Sequence, residues 1–422
     1  MPGSSSCPNP TFLYKALSWI LFPAVFIYTS IIAIQHKNSQ YFLQRLGFFK
    51  PTATRPIWCH CASVGEIKTA LPLFENLISQ QEHLVVSTNT TSGLNVLLQA
   101  DLKNTTMVFF PLDYTSFAKN FIRAFSPKLC VILETELWPC TLLTTLKHSI
   151  PITIINGRIS TKTLKAPSFL KKNYQNILAN IEHIFTSSEN NQKHFIALGA
   201  EKTRISILDN LKFSGANRPI YTNHNPLNKK FILCVSTHEN EELQIIKEWN
   251  NHTWNDIKLV IAIRHPRRTK HVCNLLDNLK LNYSLHSKRH SGDLEINNIY
   301  IIDTVGELAP FIQYAELIFM GGSLIPNIGG HNILEAAKYG KCILNGPYYQ
   351  NFSDIIDEMQ KKESIIIIEN ADDLIKSFKL LIDNVEKRTR VGNNAKLFLL
   401  SKCNVAEIYA KNIFSLANTQ PS

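Results

Sequence analysis

Acidic residues and paired glycines at the ends of apolar runs are the first groups in this chain equipped for chemistry. The run Ile57–Cys61 ends in Ala62-Ser63-Val64-Gly65-Glu66, after which the spacing predicts a helix. Two readings of Glu66 follow. It is either a general base at a cleft, or the far member of a Ser63-x-x-Glu66 capping box that returns a hydrogen bond to the Ser63 amide. A carboxylate at that helix start is stabilised by the dipole, which lowers its basicity unless burial opposes it. The run Leu129–Leu133 ends in Glu134-Thr135-Glu136-Leu137-Trp138-Pro139. An extended backbone there sets both acids on one face and Thr135 on the other. Two acids closing an apolar strand are costly to bury unpaired, and Trp138-Pro139 speaks against a solvated loop, so a site role is favoured. Arg158 and Ser160 close the next run, and Thr88 to Gly93 offers hydroxyls at a helix start suited to sugar hydroxyls or an anion.

In the second half, Leu259–Ile263 gives way to Arg264-His265-Pro266, a plausible phosphate clamp. Gly321-Gly322-Ser323-Leu324 is followed by Gly329-Gly330-His331-Asn332-Ile333-Leu334-Glu335. Paired glycines let backbone approach a ligand where a helix begins, and Glu335 one turn in can accept bonds from ribose hydroxyls. Asp303-Thr304-Val305-Gly306-Glu307-Leu308 opens another helix. None of this is a dinucleotide G-x-G-x-x-G or a Walker loop. No Asp-x-Asp occurs, so a metal-held nucleotide-sugar diphosphate has no obvious ligands, and no metal or cofactor is expected. Cys59-His60-Cys61 invites a metal reading, but strand alternation sends His60 away from both cysteines, and a buried strand is the better account.

Such residues need elements to position them. From Ile57 onward, short runs rich in Val, Ile and Phe alternate with segments of helical period, the pattern of β-loop-α units and parallel sheets. Strands are expected at 57–61, 84–87, 106–110, 129–133, 152–156 and 183–186, then at 231–235, 258–263, 299–302, 317–320, 342–345 and 364–368. Polar turn-formers between the two series read as a linker over 215–229. The fold class is α/β: two doubly wound domains, 38–214 and 230–385, preceded by a tail and anchor over 1–37 and followed by a basic helical segment over 386–422. Two such sheets create a cleft at the carboxyl ends of their strands, where open α/β sheets bind ligands.

Composition narrows the partners. The 44 Lys and Arg against 33 Asp and Glu leave +11, spread along the chain without a basic block, which favours membrane phosphates over nucleic acid. Nine cysteines without a CxxC pair argue against a disulfide framework and for a cytosolic setting. Ala16–Ile34 is a run of 19 uncharged residues, long enough as a helix to cross about 28 Å of hydrocarbon. No small-x-small cleavage pattern follows, so an uncleaved single-pass anchor is expected. Lys37, Arg45, Lys50 and Arg55 follow it and only Lys15 precedes it nearby, so the bulk of the chain is expected on the cytoplasmic side of the membrane.

Ser63-Val64-Gly65-Glu66, Glu134-Thr135-Glu136-Leu137-Trp138-Pro139, Asn210-Leu211-Lys212-Phe213, Ser236-Thr237-His238, Arg264-His265-Pro266, Asp303-Thr304-x-Gly306-Glu307-Leu308 and Gly329-Gly330-His331-Asn332-x-Leu334-Glu335 together resemble the Kdo transferase family of lipopolysaccharide synthesis. The resemblance implies a GT-B glycosyltransferase fold of two Rossmann-like domains, the first for the acceptor and the second for CMP-Kdo. It also implies an inverting mechanism that moves Kdo from CMP-Kdo to the lipid A precursor lipid IVA, at a membrane. By the same resemblance Glu66 is the proton acceptor, and Glu136 and Lys212 stabilise the transition state. The CMP contacts fall on Arg264, His265, Gly306, Glu307, Leu308, Asn332, Ile333, Leu334 and Glu335, with Ser63, Gly65, Glu134, Arg158, Gly329, Gly330 and His331 as further candidates. Departures from the family pattern are Asp209 before Asn210, Ala336 after Glu335, and Asn240. The competing readings are another nucleotide-sugar enzyme of this architecture with a lipid acceptor, and a non-catalytic glycolipid-binding protein.

Overall fold

The computed structural model describes residues 8–216, 221–289 and 297–418. The first part of the expected tail, residues 217–220 of the expected linker and the last four residues lie outside this range. The chain forms two compact units, Met1–Gly215 with Asn404–Ser422, and Ala216–Cys403.

The first unit is built on strands β1 (Ile57–His60), β2 (Leu84–Thr88), β3 (Thr105–Phe109), β4 (Leu129–Leu133), β5 (Ile152–Gly157), β6 (His183–Thr186) and β7 (Ile205–Ile207). They pair in parallel in the order β3-β2-β1-β4-β5-β6-β7. Every residue of β1, β2, β4 and β5 is buried, which is why these strands read as continuous apolar runs rather than as alternation. The order reverses between β1 and β4, so the two segments that leave their carboxyl ends are neighbours.

Three helices precede or follow β1 closely: α1 (Phe12–Gln35), α2 (Ser39–Arg45) and α3 (Val64–Ser79). The terminal helix Val405–Asn418 packs on α3 and β4 through Val405, Ala406, Tyr409, Ala410 and Ile413. The segment expected at 386–422 is therefore divided. Helix Val385–Leu400 belongs to the second unit, and the apolar face of the final helix is covered by the first.

In the second unit, β8 (Lys230–Thr237), β9 (Ile257–Ile263), β10 (Tyr283–Leu285), β11 (Ile299–Ile302), β12 (Leu317–Met320), β13 (Ile343–Asn345) and β14 (Ile366–Ile367) pair in parallel as β10-β11-β9-β8-β12-β13-β14. The edge strand β10 was not among the expected strands, nor was β7 at the edge of the first sheet. Each is only three residues long.

At the β8–β12 reversal a buried carboxylate holds two loops together. Glu241, fully buried, accepts the amides of His238 (3.0 Å), Gly322 (2.7 Å), Ser323 (3.0 Å) and Leu324 (2.9 Å). Glutamine offers one acceptor oxygen and turns an amino group toward these donors. Glu241→Gln is expected to destabilise this unit by about 2–3 kcal/mol. The checks are an earlier urea midpoint and faster hydrogen exchange at Gly322–Leu324.

Candidate active site

Glu66, Glu134 and Glu136 come together because β1 and β4 are adjacent. Ser63 caps α3, its hydroxyl oxygen accepting the Glu66 amide at 3.3 Å. The Glu66 carboxylate accepts the Ser63 hydroxyl at 2.8 Å and, instead of the Ser63 amide, the Ala62 amide at 2.7 Å. Capping thus leaves the Glu66 carboxylate fixed by two bonds rather than excluding a chemical role for it. Burial pushes the Glu66 carboxyl up to about 7, with Glu134 and Glu136 adding to the rise and the Ser63 and Ala62 bonds opposing it.

The backbone does not stay extended after β4. Glu134 adopts a left-handed conformation (φ +57°), so the simple alternation expected for Glu134 and Glu136 does not apply. Glu136 is instead held by Trp138, whose indole donates to it at 2.7 Å. Sequence reasoning missed what lies behind it. His60, fully buried on β1, points Nε2 at the Glu136 carboxylate from 3.9 Å, and that nitrogen has no hydrogen-bond partner. Its Nδ1 lies 3.0 Å from the Ser87 hydroxyl, which accepts the Trp58 indole at 2.8 Å. Burial lowers the His60 pKa and keeps the ring neutral. The strand reading of Cys59-His60-Cys61 was sound, yet nothing local revealed a partner in residue 136.

Lys212 lies in a 3-10 turn, Leu211–Ala216. Two bonds place that turn. The Leu211 amide donates to Asn156 at the end of β5 (3.0 Å), and the Ser214 hydroxyl donates to the Thr69 carbonyl of α3 (3.4 Å). Arg158, half-buried, follows β5 along the same sheet edge.

In the second unit the expected nucleotide contacts follow the carboxyl ends of three strands, β11, β9 and β12, and His238, which was not among them, follows β8. Arg264 is exposed at the end of β9, with His265 beside it. His238 and His331 stack at 5.0 Å between centroids, their Nε2 atoms 2.7 Å apart, so one donates and the other accepts. Burial, His238, Arg264 and His265 push His331 down to about 4. Gly322 (φ +69°) has no room for a side chain, since a Cβ there would come within 2.9 Å of the His331 ring. Gly329 and Gly330 also have positive φ. Gly306 is open to solvent, and the exposed Glu307 pairs with His286 at 3.2 Å.

Two expectations change here. The helix after the paired glycines is only Leu334–Ala337, with Asn332 accepting the Leu334 amide at 3.1 Å, so Glu335 sits in its first turn and a long helix dipole is absent from this place. The side chains of Ile333 and Leu334 are fully buried, which leaves backbone as their only route to a ligand. Leu308 is half-buried, and Asn332 and Glu335 are exposed.

Two all-parallel α/β units of this kind are the GT-B glycosyltransferase architecture. A Rickettsia africae glycosyltransferase matches with a TM-score of 0.64 at 13% identity, over 87% of this chain and 100% of that one. S. aureus MnaA, solved with UDP, matches with a TM-score of 0.59 at 14% identity, over 87% and 99%. At these identities the likeness is one of fold. The family model for 3-deoxy-D-manno-octulosonic-acid transferase (kdotransferase) matches residues 40–215. The 3-deoxy-D-manno-octulosonic acid transferase of Rickettsia prowazekii is 32% identical over 380 residues, 86% of this chain and 80% of its own. That of Haemophilus influenzae is 27% identical over 400 residues, 90% and 93%. The chain belongs to the Kdo transferase family of glycosyltransferases.

The Glu66 environment has a thermodynamic signature independent of turnover. A carboxyl whose folded pKa exceeds its ordinary 4.5 costs no stability below that value and a growing amount as pH rises toward about 7. Glu66→Gln is expected to raise the unfolding free energy at pH 8 by about 1–3 kcal/mol, and to change it little at pH 4. Denaturant titrations at the two pH values give the comparison, and an equal effect at both would contradict the raised pKa.

Proposed function

We propose that this protein transfers Kdo from CMP-Kdo to lipid IVA, releasing CMP, on the cytoplasmic face of the inner membrane and without a metal ion. Family membership supports the sugar and the reaction class, and the raised Glu66 pKa is the observation that carries the mechanism. A base poised near neutral pH is matched to deprotonating a hydroxyl. Glu66 takes the proton of the acceptor hydroxyl as its oxygen bonds to the anomeric carbon of Kdo. The bond from that carbon to the CMP phosphate breaks with inversion, and the electron pair leaves on the phosphate.

Positive charge developing at the sugar calls for a carboxylate, the role given to Glu136 with Glu134 beside it. Lys212 stabilises the departing phosphate. In the second unit, Arg264, His265, His238 and His331 supply cations and donors for CMP-Kdo, and Gly306–Leu308 with Asn332–Glu335 supply backbone and polar contacts. Neutral His331 is a hydrogen-bonding group there rather than a charge.

In turnover assays with CMP-Kdo, lipid IVA and no added metal, Glu66→Gln is expected to bind CMP normally and to lose transfer by about 10³-fold or more. The wild-type rate should rise with pH up to about 7 and level off above it. Transfer that requires a UDP-sugar would refute the donor assignment. Near-normal turnover of the variant would remove Glu66 as the base.

His60 contributes by orienting Glu136. Asparagine at this position mimics Nδ1, and glutamine mimics Nε2. His60→Gln should therefore retain much more kcat than His60→Asn at similar melting temperature and unchanged KM for CMP-Kdo. The reverse order would assign His60 to packing through Ser87.

A further inference from the structure

The apolar helix α1 has two different long faces. Along one, contacts with the first unit recur at helical spacing. The Thr11 amide donates to Asn173 at 2.8 Å, and the Tyr14 hydroxyl donates to Asp113 at 2.7 Å. The Tyr114 hydroxyl donates to the Ser18 carbonyl at 2.6 Å, Phe22 packs on the Tyr114 and Phe117 rings, and Phe26 packs on Phe42. Thr29 and Ala33 are buried. These contacts run from residue 11 to residue 33, about 33 Å of helix at 1.5 Å per residue.

The other face is bare. Ile20, Ile27 and Ile34 are 72%, 59% and 75% exposed, and Phe48 just beyond α2 is 63% exposed. Between Lys15 and Lys37 no residue carries a charge.

A helix that crosses a bilayer must satisfy its whole circumference within hydrocarbon. Here the docked face is covered by a folded α/β unit whose neighbouring helices, Thr115–Phe125 and Ser168–Leu178, carry Lys119, Arg123, Lys171 and Lys172. Crossing along the full length of α1 would drag those charges and Asp113 to bilayer depth, at several kcal/mol each. We infer that α1 does not span the membrane but lies in its plane, with the Ile20–Ile27–Ile34 face sunk into a single lipid leaflet and the docked face holding the first unit against the headgroups. The exposed Lys37 and Lys50 flank this face and suit anionic headgroups. Arg45, expected to act with them, instead donates to the Phe110 carbonyl at 2.7 Å. The occupant is lipid rather than another protein helix, because the bare face is long, uniformly apolar and bordered by cations.

This geometry puts both ends of the chain on the same side of the membrane, whatever sugar is transferred. With an epitope tag at the N-terminus of the full chain, protease is expected to remove the tag in inverted inner-membrane vesicles and to leave it intact in spheroplasts. Cleavage in spheroplasts would show a crossing helix and overturn the inference. In flotation with vesicles of phosphatidylethanolamine and phosphatidylglycerol, Ile20→Asp/Ile27→Asp should reduce vesicle-bound protein at least tenfold without lowering the melting temperature, since both side chains face outward. Undiminished flotation, or loss of a stable oligomer instead of loss of lipid binding, would equally refute a lipid-covered face.

Discussion

The reversal of strand order between β1 and β4 is the constraint on which the first unit's chemistry depends. It sets two loop segments side by side and thereby crowds three carboxylates against fully buried strands. Like charges in a partly dehydrated place resist joint ionisation, and a carboxyl that is itself desolvated keeps its proton to higher pH. Glu66 is such a group, raised first by burial and further by Glu134 and Glu136. Its two hydrogen bonds fix the carboxylate's direction without cancelling the effect of burial. The N-terminal cap and the tuned acid are therefore one arrangement. A capping glutamate on a solvated helix would have an ordinary pKa and little use as a base near neutrality.

The second unit uses the same reversal with the opposite sign. Glu241, the acid at the β8–β12 switch, is spent entirely on four backbone amides and so presents no charge to a ligand. Glu242 likewise pairs with Arg268 through two bonds of 3.0 and 3.2 Å. With Glu241 and Glu242 engaged internally, the ends of β9, β8 and β12 offer Arg264 and the imidazoles of His238, His265 and His331, with Glu335 exposed beyond them. One sheet thus gathers three carboxylates at its switch point, and the other gathers imidazoles and a guanidinium at its own.

Much of this was legible in the sequence because parallel strands buried on both faces leave uninterrupted apolar runs, and the residues that end them fall at the sheet's carboxyl edge. Strands of three residues at the edges, β7 and β10, leave no such signal. Long-range pairing was equally silent: His60 and Glu136 are neighbours only because β1 and β4 pair, and the left-handed turn at Glu134 has no glycine to announce it. Within the apolar run Ala16–Ile34, Ser18 and Thr29 each bond a carbonyl one turn back, so their hydroxyls give no sign of a partner surface. Their spacing with Tyr14, Phe22 and Ala33 instead marks the docked stripe, a pattern with meaning only once a partner surface is known.

That stripe is connected to the acids by a single side chain. Asp113 accepts the Tyr14 hydroxyl of α1 and also the Cys140 amide at 3.0 Å, the Thr141 amide at 2.7 Å and the Thr141 hydroxyl at 2.7 Å. Those amides open the helix Pro139–Lys147, which begins directly after the Glu134–Trp138 segment. A carboxylate at that helix start satisfies donors that have no partner within the helix, and it does so while bonded to α1. The segment bearing Glu136 thus has His60 of β1 behind it, 3.9 Å from the carboxylate, and at its far end a helix start bonded to a group tied to α1. A continuous chain of bonds thus runs from Tyr14 of α1 through Asp113 to Cys140 and Thr141, at the start of the helix that directly follows the segment bearing Glu136.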